Sequence, residues 1–169
     1  LQRIDASGGP PPGQHTAFRG APLATYDEET RRTIAAVREW VDAPAATAIW
    51  EAALAAPWGG PPVWFHGDVA VNNLLVRDGR LSAVIDFGCA GVGDPACDTV
   101  IAWTLFRGAS RAAFRAGLPL DAATWQRGRG WALWKALLVF NQERLSDRAR
   151  AAEARRVIAE LLADPREVS

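Results

Sequence analysis

Residues 66–76 read HGDVAVNNLLV and residues 84–88 read VIDFG, and these two stretches are the most informative part of the chain. Asp68 is followed five residues later by Asn73, and Asp86 comes thirteen residues after Asn73, at the end of an apolar run. Phosphoryl transfer needs one carboxylate to orient a hydroxyl group, and oxygen ligands such as an amide and a second carboxylate to hold Mg²⁺ on a nucleotide's phosphates. The pattern therefore predicts a site for phosphoryl transfer.

A two-residue turn lies between the two stretches. The dipeptide Asp-Gly at 78–79 lies between two apolar runs, which is a strong hairpin signal, so residues 74–77 and 80–85 predict two antiparallel strands. Pairing outward from the turn sets Arg77 opposite Arg80 and continues residue by residue towards the open end of the hairpin.

This pairing divides the side chains of the hairpin between two faces. The apolar face, which we expect to lie on the core, consists of Leu74, Val76, Leu81, Ala83 and Ile85. The other face carries Asn73, Leu75 and Asp86. Asn73 and Asp86 become diagonal neighbours, and diagonal Cβ atoms lie within about 7–8 Å of each other. The hairpin thus predicts that these two side chains can share one metal ion.

The joint pattern resembles the aminoglycoside phosphotransferase (APH) family, whose fold is protein-kinase-like. The segments that carry the resemblance are His66-Gly67-Asp68, Asn73-Leu74-Leu75, residues 84–88 and residues 93–98, which read GDPACD. The resemblance implies that Asp68 is the catalytic aspartate and that Asn73 and Asp86 are the Mg²⁺ ligands. It also implies that Leu75 and Ile85 pack on the adenine of the nucleotide, although the pairing above puts Ile85 on the core face. A bulge or a strong twist at the strand end would reconcile the two.

Other matched positions are expected to support the site. Asp98 corresponds to an acid that holds the catalytic loop, and His66 is expected to do the same. Asp94 is followed by Pro95 and predicts a helix N-cap rather than a ligand. The implied cofactors are Mg²⁺ and ATP or GTP, and the implied partner is a small molecule with a hydroxyl group, such as an aminoglycoside-like antibiotic, a sugar or an amino alcohol.

The fold class predicted is mainly α (α+β): the helical C-terminal lobe of a protein-kinase-like fold, with a small β-hairpin that carries the catalytic and metal residues. Residues 1–26 are expected to be largely a Gly- and Pro-rich surface loop. Residues 27–169 form the helical lobe, with the catalytic loop at 66–73 and the metal-binding segment at 84–88. The expected helices run from Asp27 to about Val41 and over 44–55, 95–106, 109–116, 121–143 and 147–163.

We expect this chain to lack a nucleotide-binding N-terminal lobe. No glycine-rich phosphate loop and no strand lysine with a helix glutamate is present, and the sole lysine, Lys135, falls in a late helical segment. The chain begins at Leu1 and contains no methionine, so we expect a piece of a longer protein. The isolated piece is expected to have little or no kinase activity.

The charge distribution and the composition of the chain limit the partners and function classes that the sequence allows. Residues 1–106 carry 7 basic and 12 acidic groups, whereas residues 107–169 carry 12 basic and 7 acidic groups. Aminoglycosides are polycations, so the basic second part leaves the acceptor open. Without basic-aromatic strips or zinc patterns, no nucleic-acid partner is expected.

The alternative to a phosphotransferase is a non-catalytic kinase relative that binds nucleotide or another ligand. A metal-dependent hydrolase is disfavoured, because one histidine near the acids is too few for a typical site of that kind.

Two further classes are disfavoured by the sequence. No apolar run approaches 18 residues and no secretory signal opens the chain, so neither a transmembrane helix nor a membrane partner is expected. Cys89 and Cys97 form neither a disulfide framework nor a metal-ligand pattern, and a reducing cytoplasm is the expected location.

The chain contains eight tryptophans. Trp103, Trp131 and Trp134 fall on expected helices, where core packing is favoured over a substrate cleft.

Overall fold

The computed structural model describes residues 1–164 and divides into two compact units. The first unit comprises Leu1–Pro22 and Trp58–Pro119, and the second comprises Leu23–Pro57 and Leu120–Ser169, of which the residues up to 164 are described. The chain is 57% helix and 9% strand, so the prediction of a mainly α fold with a small β component is confirmed. Among residues 1–164, no helix has both the length and the apolar character needed to cross a membrane.

Within residues 1–164, six α-helices and four β-strands are the main regular elements. The helices are α1 (Asp27–Ala36), α2 (Ala43–Ala55), α3 (Ile101–Thr104), α4 (Gly108–Ala116), α5 (Ala122–Glu143) and α6 (Arg148–Ala163). The strands are β1 (Val63–Phe65), β2 (Leu74–Arg77), β3 (Arg80–Val84) and β4 (Gly91–Gly93). Short 3₁₀ helices at Gln14–Thr16, Leu23–Tyr26, Val71–Asn73, Phe87–Cys89 and Pro95–Val100 complete the list.

Two small antiparallel sheets organise the first unit. Strand β1 pairs with β4, with Phe65 opposite Gly91, and β2 pairs with β3 in the expected hairpin. The helix expected over 95–106 is divided into the 3₁₀ helix Pro95–Val100 and the short helix α3. Phe65, which ends β1 beside the motif, is fully buried. The β1–β4 pair therefore anchors the start of residues 66–76 to the interior of the unit.

The N-terminal segment packs against β4. The backbone N–H of Val92 donates a hydrogen bond to the carbonyl of Pro10 at 2.8 Å, and that of Asp94 donates to Gly20 at 3.0 Å. Thr16 is fully buried. The expectation of a surface loop is wrong for this part of the segment, because the backbone groups of the short strand β4 need partners and the segment supplies them.

The hairpin register differs from the simple pairing beyond the first two pairs. Arg77 lies opposite Arg80 as expected, but a bulge between Leu75 and Val76 sets Leu75 opposite Ala83. The expectation of an apolar face on the core is wrong at three of its five positions, since Val76, Leu81 and Ile85 are 66%, 61% and 41% exposed. A two-stranded ribbon has no third strand or helix of its own to bury either face.

Four helices form the second unit, and acidic N-caps begin three of them. Asp42, Asp121 and Asp147 accept hydrogen bonds from backbone N–H groups at the starts of α2, α5 and α6. The helices expected at 44–55, 121–143 and 147–163 are thereby confirmed within a residue. Helix α1 ends at Ala36, five residues before the expected end, and Trp40 beyond it is 42% exposed.

Tryptophans fill the interior of the second unit. Trp131 is 1% exposed and Trp134 is 6% exposed, and their rings contact each other and the ring of Tyr26 at centroid distances of 5.7, 5.9 and 4.3 Å. The indole N–H of Trp134 donates to the Glu29 carboxylate at 2.7 Å, which satisfies its buried polar atom. Trp103, in the first unit, is also buried at 1% exposure. The favoured interpretation of these three residues as core is confirmed.

Helix packing in the second unit depends on Gly130, which gives the first test. A Cβ added there would lie 2.5 Å from the Cβ of Ala53 and 3.0 Å from Leu23. Gly130→Ala should therefore destabilise the fold by about 1–3 kcal/mol through overpacking, although the same change in an exposed helix stabilises by about 1 kcal/mol. The measurement is the urea midpoint of unfolding.

The double variant Ala53→Gly/Gly130→Ala supplies the control. It removes the contacted methyl group and should recover part of the lost stability. A Gly130→Ala protein as stable as the parent would contradict the packing described for α2 and α5.

Candidate active site

One partly buried carboxylate fixes the loop that follows β1. The two oxygens of Asp98 accept hydrogen bonds from the backbone N–H groups of His66 and Gly67, both at 2.8 Å. Asp98 lies on the 3₁₀ helix Pro95–Val100, whose N-cap Asp94 accepts from the N–H of Ala96 at 3.0 Å. The expected supporting role of Asp98 and the expected cap at Asp94 are both confirmed. Burial raises the pKa of Asp98, and the two backbone donors act in the opposite direction.

The ring of His66 connects the loop to the segment that contains Asp86. Its Nδ1 accepts from the N–H of Asp68 at 3.2 Å, so Nε2 carries the proton and donates to the carbonyl of Ile85 at 2.9 Å. The ring also contacts Phe87 at a centroid distance of 4.6 Å and is 1% exposed. With both ring nitrogens engaged in structural bonds, His66 positions the loop, as expected from the sequence.

Gly67 permits the close approach of these two segments. Its φ of +81° lies in the left-handed region that favours glycine. A Cβ at this position would stand 2.4 Å from the carbonyl oxygen of Cys89, a separation that real Cβ atoms do not show. A glycine between the histidine and the aspartate is therefore required by the packing of the loop on residues 87–89.

Asn73 joins three parts of the site. Its side-chain amide donates to the carbonyl oxygen of Asp68 at 2.9 Å and to the Oδ2 of the same residue at 3.3 Å. Its backbone carbonyl accepts from the N–H of Ile85 at 2.9 Å, next to Asp86 in the chain. Asn73 is 3% exposed, whereas Asp68 is half-buried and Asp86 is exposed. The structure thus brings Asp68 and Asn73 into direct contact and places the Asp86 segment beside them.

A turn in the backbone, rather than strand alternation, sets the direction of Asp86. Strand β3 ends at Val84, and Asp86 has φ of 63° and ψ of 66°, a left-handed conformation that aspartate tolerates better than most residues. Its Oδ1 accepts from the N–H of Gly88 at 3.4 Å. The derivation of Asn73 and Asp86 as diagonal neighbours is therefore wrong in its mechanism, because the bulge shifts the register and the strand stops before Asp86.

The bulge also changes the position of Ile85. Leu75 lies opposite Ala83, and Ile85 lies two residues beyond Ala83, so Leu75 and Ile85 share one face of the hairpin. These two side chains are 46% and 41% exposed. The expectation of Ile85 on the core face is wrong, because Leu75 and Ile85 lie on one exposed face. Their contact with the adenine stays a prediction.

The amide oxygen of Asn73 and the carboxylate of Asp86 are of the ligand type that Mg²⁺ takes. The side-chain amide nitrogen of Asn73 donates to Asp68. Within residues 1–164, no hydrogen bond reaches the amide oxygen of Asn73 or the Oδ2 of Asp86. Mg²⁺ takes oxygen ligands and is commonly bound by one or two carboxylates together with substrate phosphates. In the described part of the chain, no group of three or more His, Cys, Asp or Glu side chains is arranged to hold a metal by itself. The donor set thus suits an ion that a phosphate group completes.

The cysteine next to Asp98 has no nucleophilic character. Cys97 is 3% exposed, and burial, followed by the neighbouring carboxylates of Asp98 and Asp94, raises the pKa of its thiol well above the usual value. The thiol therefore stays protonated at neutral pH.

Sequence reasoning missed two contributors to the site. The contact of Phe87 with His66 and the close approach of Gly67 to Cys89 both join residues about twenty positions apart. No signal in one sequence marks either contact, because a glycine in a loop is compatible with many conformations.

The family to which the chain belongs follows from a comparison with protein-family models. The phosphotransferase enzyme family (APH) matches residues 1–137, so the chain belongs to that family and the resemblance drawn from the motifs is confirmed. The match extends well beyond residues 63–106, which carry the motifs, and includes the N-terminal segment that packs on β4.

Individual relatives agree with this assignment. The aminoglycoside 3'-phosphotransferase of Escherichia coli is 38% identical over 56 residues, which cover 32% of this chain and 21% of that enzyme. Two crystal structures of thermostable mutants of aminoglycoside phosphotransferase APH(4)-Ia share the fold. The first is a ternary complex with AMP-PNP and hygromycin B (TM-score 0.57, 21% identity), and the second is an apo form (TM-score 0.53, 23% identity).

The chain is much shorter than these relatives. It aligns over 96% of its own length with the two APH(4)-Ia structures but covers 60% of each of them. The match with the E. coli enzyme covers about a fifth of that protein.

The two hydrogen bonds to Asp98 give the second test. Asp98→Asn replaces one acceptor oxygen by an N–H donor and leaves a backbone N–H of His66 or Gly67 without its partner. We expect a loss of about 1–3 kcal/mol in the free energy of unfolding, measured by urea titration. Asp78→Asn, an exposed turn residue with φ of 51° that asparagine adopts readily, should change the same quantity by less than about 0.5 kcal/mol. Equal effects of the two substitutions would refute the role given to Asp98.

Proposed function

We propose that this chain is the C-terminal catalytic and substrate-binding lobe of an ATP- and Mg²⁺-dependent phosphotransferase that acts on a hydroxyl group of a small molecule. Because the chain spans only part of the length of its relatives, the proposal concerns the full-length protein. The nucleotide-binding N-terminal lobe belongs to the part of the protein outside this chain.

The observation that carries the proposal is the double engagement of Asn73. Its side chain holds Asp68 through two hydrogen bonds, and its backbone holds Ile85, which precedes Asp86. These contacts connect two segments that are separated along the sequence, and they hold a carboxylate, an amide and a second carboxylate, which are the groups that in-line phosphoryl transfer uses. Membership of a phosphotransferase family supports the same reaction class.

Asp68 is proposed as the catalytic residue. It accepts a hydrogen bond from the acceptor hydroxyl and directs the oxygen at the γ-phosphorus, while its own position is held by Asn73 and by the His66 ring. Its half-buried side chain remains within reach of a substrate. The chain contributes orientation here, which is the main protein contribution to phosphoryl transfer.

Asn73 and Asp86 are proposed as the Mg²⁺ ligands, through the amide oxygen and the carboxylate. When bound, Mg²⁺ would neutralise charge on the phosphate oxygens. The exposed position of Asp86 leaves its carboxylate open to the phosphates that complete the coordination.

Leu75 and Ile85 are proposed to contact the adenine. Their shared face and their exposure of 46% and 41% leave an apolar surface on the hairpin that a flat base can cover. Val76 and Leu81 are more exposed still, at 66% and 61%. An apolar ribbon with both faces open supports a further lobe of the protein packing over it.

The acceptor is proposed as an aminoglycoside-like antibiotic, a sugar or an amino alcohol. The relatives named above are aminoglycoside phosphotransferases, and one of them is a complex with hygromycin B and AMP-PNP. Residues 107–169 of this chain carry 12 basic and 7 acidic groups, which disfavours a highly cationic substrate if they line the pocket. Either ATP or GTP can serve as donor in this proposal.

Removal of the Asp68 carboxylate gives the third test. In the full-length protein, Asp68→Asn should lower phosphorylation of the best acceptor from a panel of hydroxyl-bearing small molecules by about 10²–10⁴-fold, because the attacking oxygen loses its acceptor. Transfer of ³²P from γ-labelled ATP measures the rate. Asp78→Asn, on the exposed hairpin turn, is the matched control and should keep full activity.

Two outcomes of this experiment would contradict the proposal. A phosphorylation or hydrolysis rate unchanged in Asp68→Asn would favour a non-catalytic protein that binds nucleotide or another ligand. The 169-residue chain alone should show little or no turnover, and a rate comparable to that of the full-length protein would refute the need for a further lobe.

Metal dependence gives the fourth test. Asp86→Asn keeps a residue type that tolerates the left-handed backbone but removes the charged ligand. The Mg²⁺ concentration for half-maximal activity of the full-length protein should rise at least about tenfold, as measured in a magnesium titration at saturating nucleotide. An unchanged requirement would show that Asp86 is not a ligand.

A further inference from the structure

Three of the arginines in the C-terminal part of the chain line a groove on the second unit. This groove has a volume of about 340 Å³ and opens to solvent. Its lining includes Trp40, Phe140, Arg144, Arg148, Ala151 and Arg155. All of these residues belong to the second unit, whereas Asp68, Asn73 and Asp86 belong to the first.

Helical spacing brings the three arginines to the groove. Arg148, Ala151 and Arg155 are three, four and seven positions apart and fall on one face of α6. Arg144 follows Phe140 by one turn, where α5 ends. Phe140 and Ala151 are buried, and Arg148 and Arg155 are exposed. The groove therefore combines an apolar interior with cationic side chains at its edge.

The arginines of the groove differ from their neighbours in lacking acidic partners. On the same helix, Arg150 pairs with Glu143 at 2.5 Å and Arg156 pairs with Glu153 at 2.5 Å. Within residues 1–164, neither Arg148 nor Arg155 has a carboxylate within ion-pair distance. The arginines of α6 outside the groove are thus paired with carboxylates, whereas the two that line the groove are not.

Arg144 adds a flat element and an unsatisfied donor. Its guanidinium carbon lies 4.8 Å from the centroid of the Trp40 ring, a cation–π distance. Its Nε is buried and has no hydrogen-bond partner among residues 1–164. Trp40 is itself 42% exposed, so part of its indole ring faces solvent.

These features select one class of ligand. Guanidinium groups bind phosphate and carboxylate through paired hydrogen bonds, and an exposed indole stacks on a flat ring. A volume of about 340 Å³ is that of a site for a small molecule.

We propose that this groove binds a small organic anion in which a phosphate or a carboxylate is attached to a flat ring. The anion contacts Arg148 and Arg155, and the ring lies against Trp40. This site is separate from the phosphoryl-transfer residues and does not depend on the function proposed for them.

The fifth test is calorimetric titration of the 169-residue chain with phenyl phosphate and benzoate, in the absence of Mg²⁺ and nucleotide. Inorganic phosphate supplies the charge without the ring, and phenol supplies the ring without the charge. At least one of the two ringed anions should bind with a stoichiometry of one and at least about tenfold more tightly than inorganic phosphate or phenol. Whichever of them binds more tightly also shows whether phosphate or carboxylate is preferred.

Substitutions locate the binding. Arg148→Gln and Arg155→Gln should each lower the affinity for the preferred anion about tenfold, which is the loss expected for one charged hydrogen-bond donor. Trp40→Leu should reduce the factor by which the ringed anion binds more tightly than inorganic phosphate. Arg150→Gln is the matched control, since it removes the same charge from the same helix outside the groove, and it should change the affinity less than twofold. All four positions are exposed, and circular dichroism should show the parent fold in each variant.

Several results would overturn the proposal. One is a ringed anion that binds no more tightly than inorganic phosphate and phenol. Another is an equal loss with Arg150→Gln, which would indicate general charge attraction, and a third is an affinity unaffected by Arg148→Gln and Arg155→Gln, which would place the binding elsewhere. A hexaglutamate peptide that binds more tightly than both ringed anions, and loses affinity in the same variants, would assign the groove to an acidic protein segment instead.

Discussion

Asp98 holds the loop that carries Asp68 through two hydrogen bonds to the backbone N–H groups of His66 and Gly67. A buried carboxylate is costly unless its oxygens accept hydrogen bonds, and buried N–H groups are equally costly without acceptors, so each side of this interaction stabilises the other. Once residues 66 and 67 are fixed, the His66 ring reaches Ile85 and the Asp68 N–H, and Asn73 closes the loop on Asp68. The remaining contacts of the candidate site depend on this first one.

A second constraint is the close contact between the loop and residues 87–89. Gly67 accepts a left-handed conformation and has no Cβ, so the carbonyl of Cys89 can approach it. Asp86 lies in the same turn with positive φ, which redirects the chain after β3. The position of the proposed metal ligand therefore follows from a backbone turn and a missing side chain, and less from the regular alternation of a strand.

Charge is distributed by the helices in a way that the overall balance conceals. The net charge of the chain is zero, and the excess of basic residues lies after residue 106. On α6, arginines that point away from the groove are paired with Glu143 or Glu153, while Arg148 and Arg155 face the groove. The distinction between a solvated basic surface and a binding surface thus depends on which face of the helix each arginine occupies.

Features that arise from local chemistry could be predicted from the sequence alone. Aspartate caps at Asp42, Asp94, Asp121 and Asp147 begin helices within a residue of the expected positions, and Asp78-Gly79 makes the hairpin turn, because these signals act over two to four residues. The spacing of Asp68, Asn73 and Asp86 also indicated the reaction class. Only the tertiary structure decided the bulge at Leu75/Val76, the pairing of β1 with β4 and the burial of Thr16, since each depends on contacts between distant segments that a local pattern does not encode. The face on which Ile85 lies was decided in the same way, because one extra residue in a strand reverses the side of every residue beyond it.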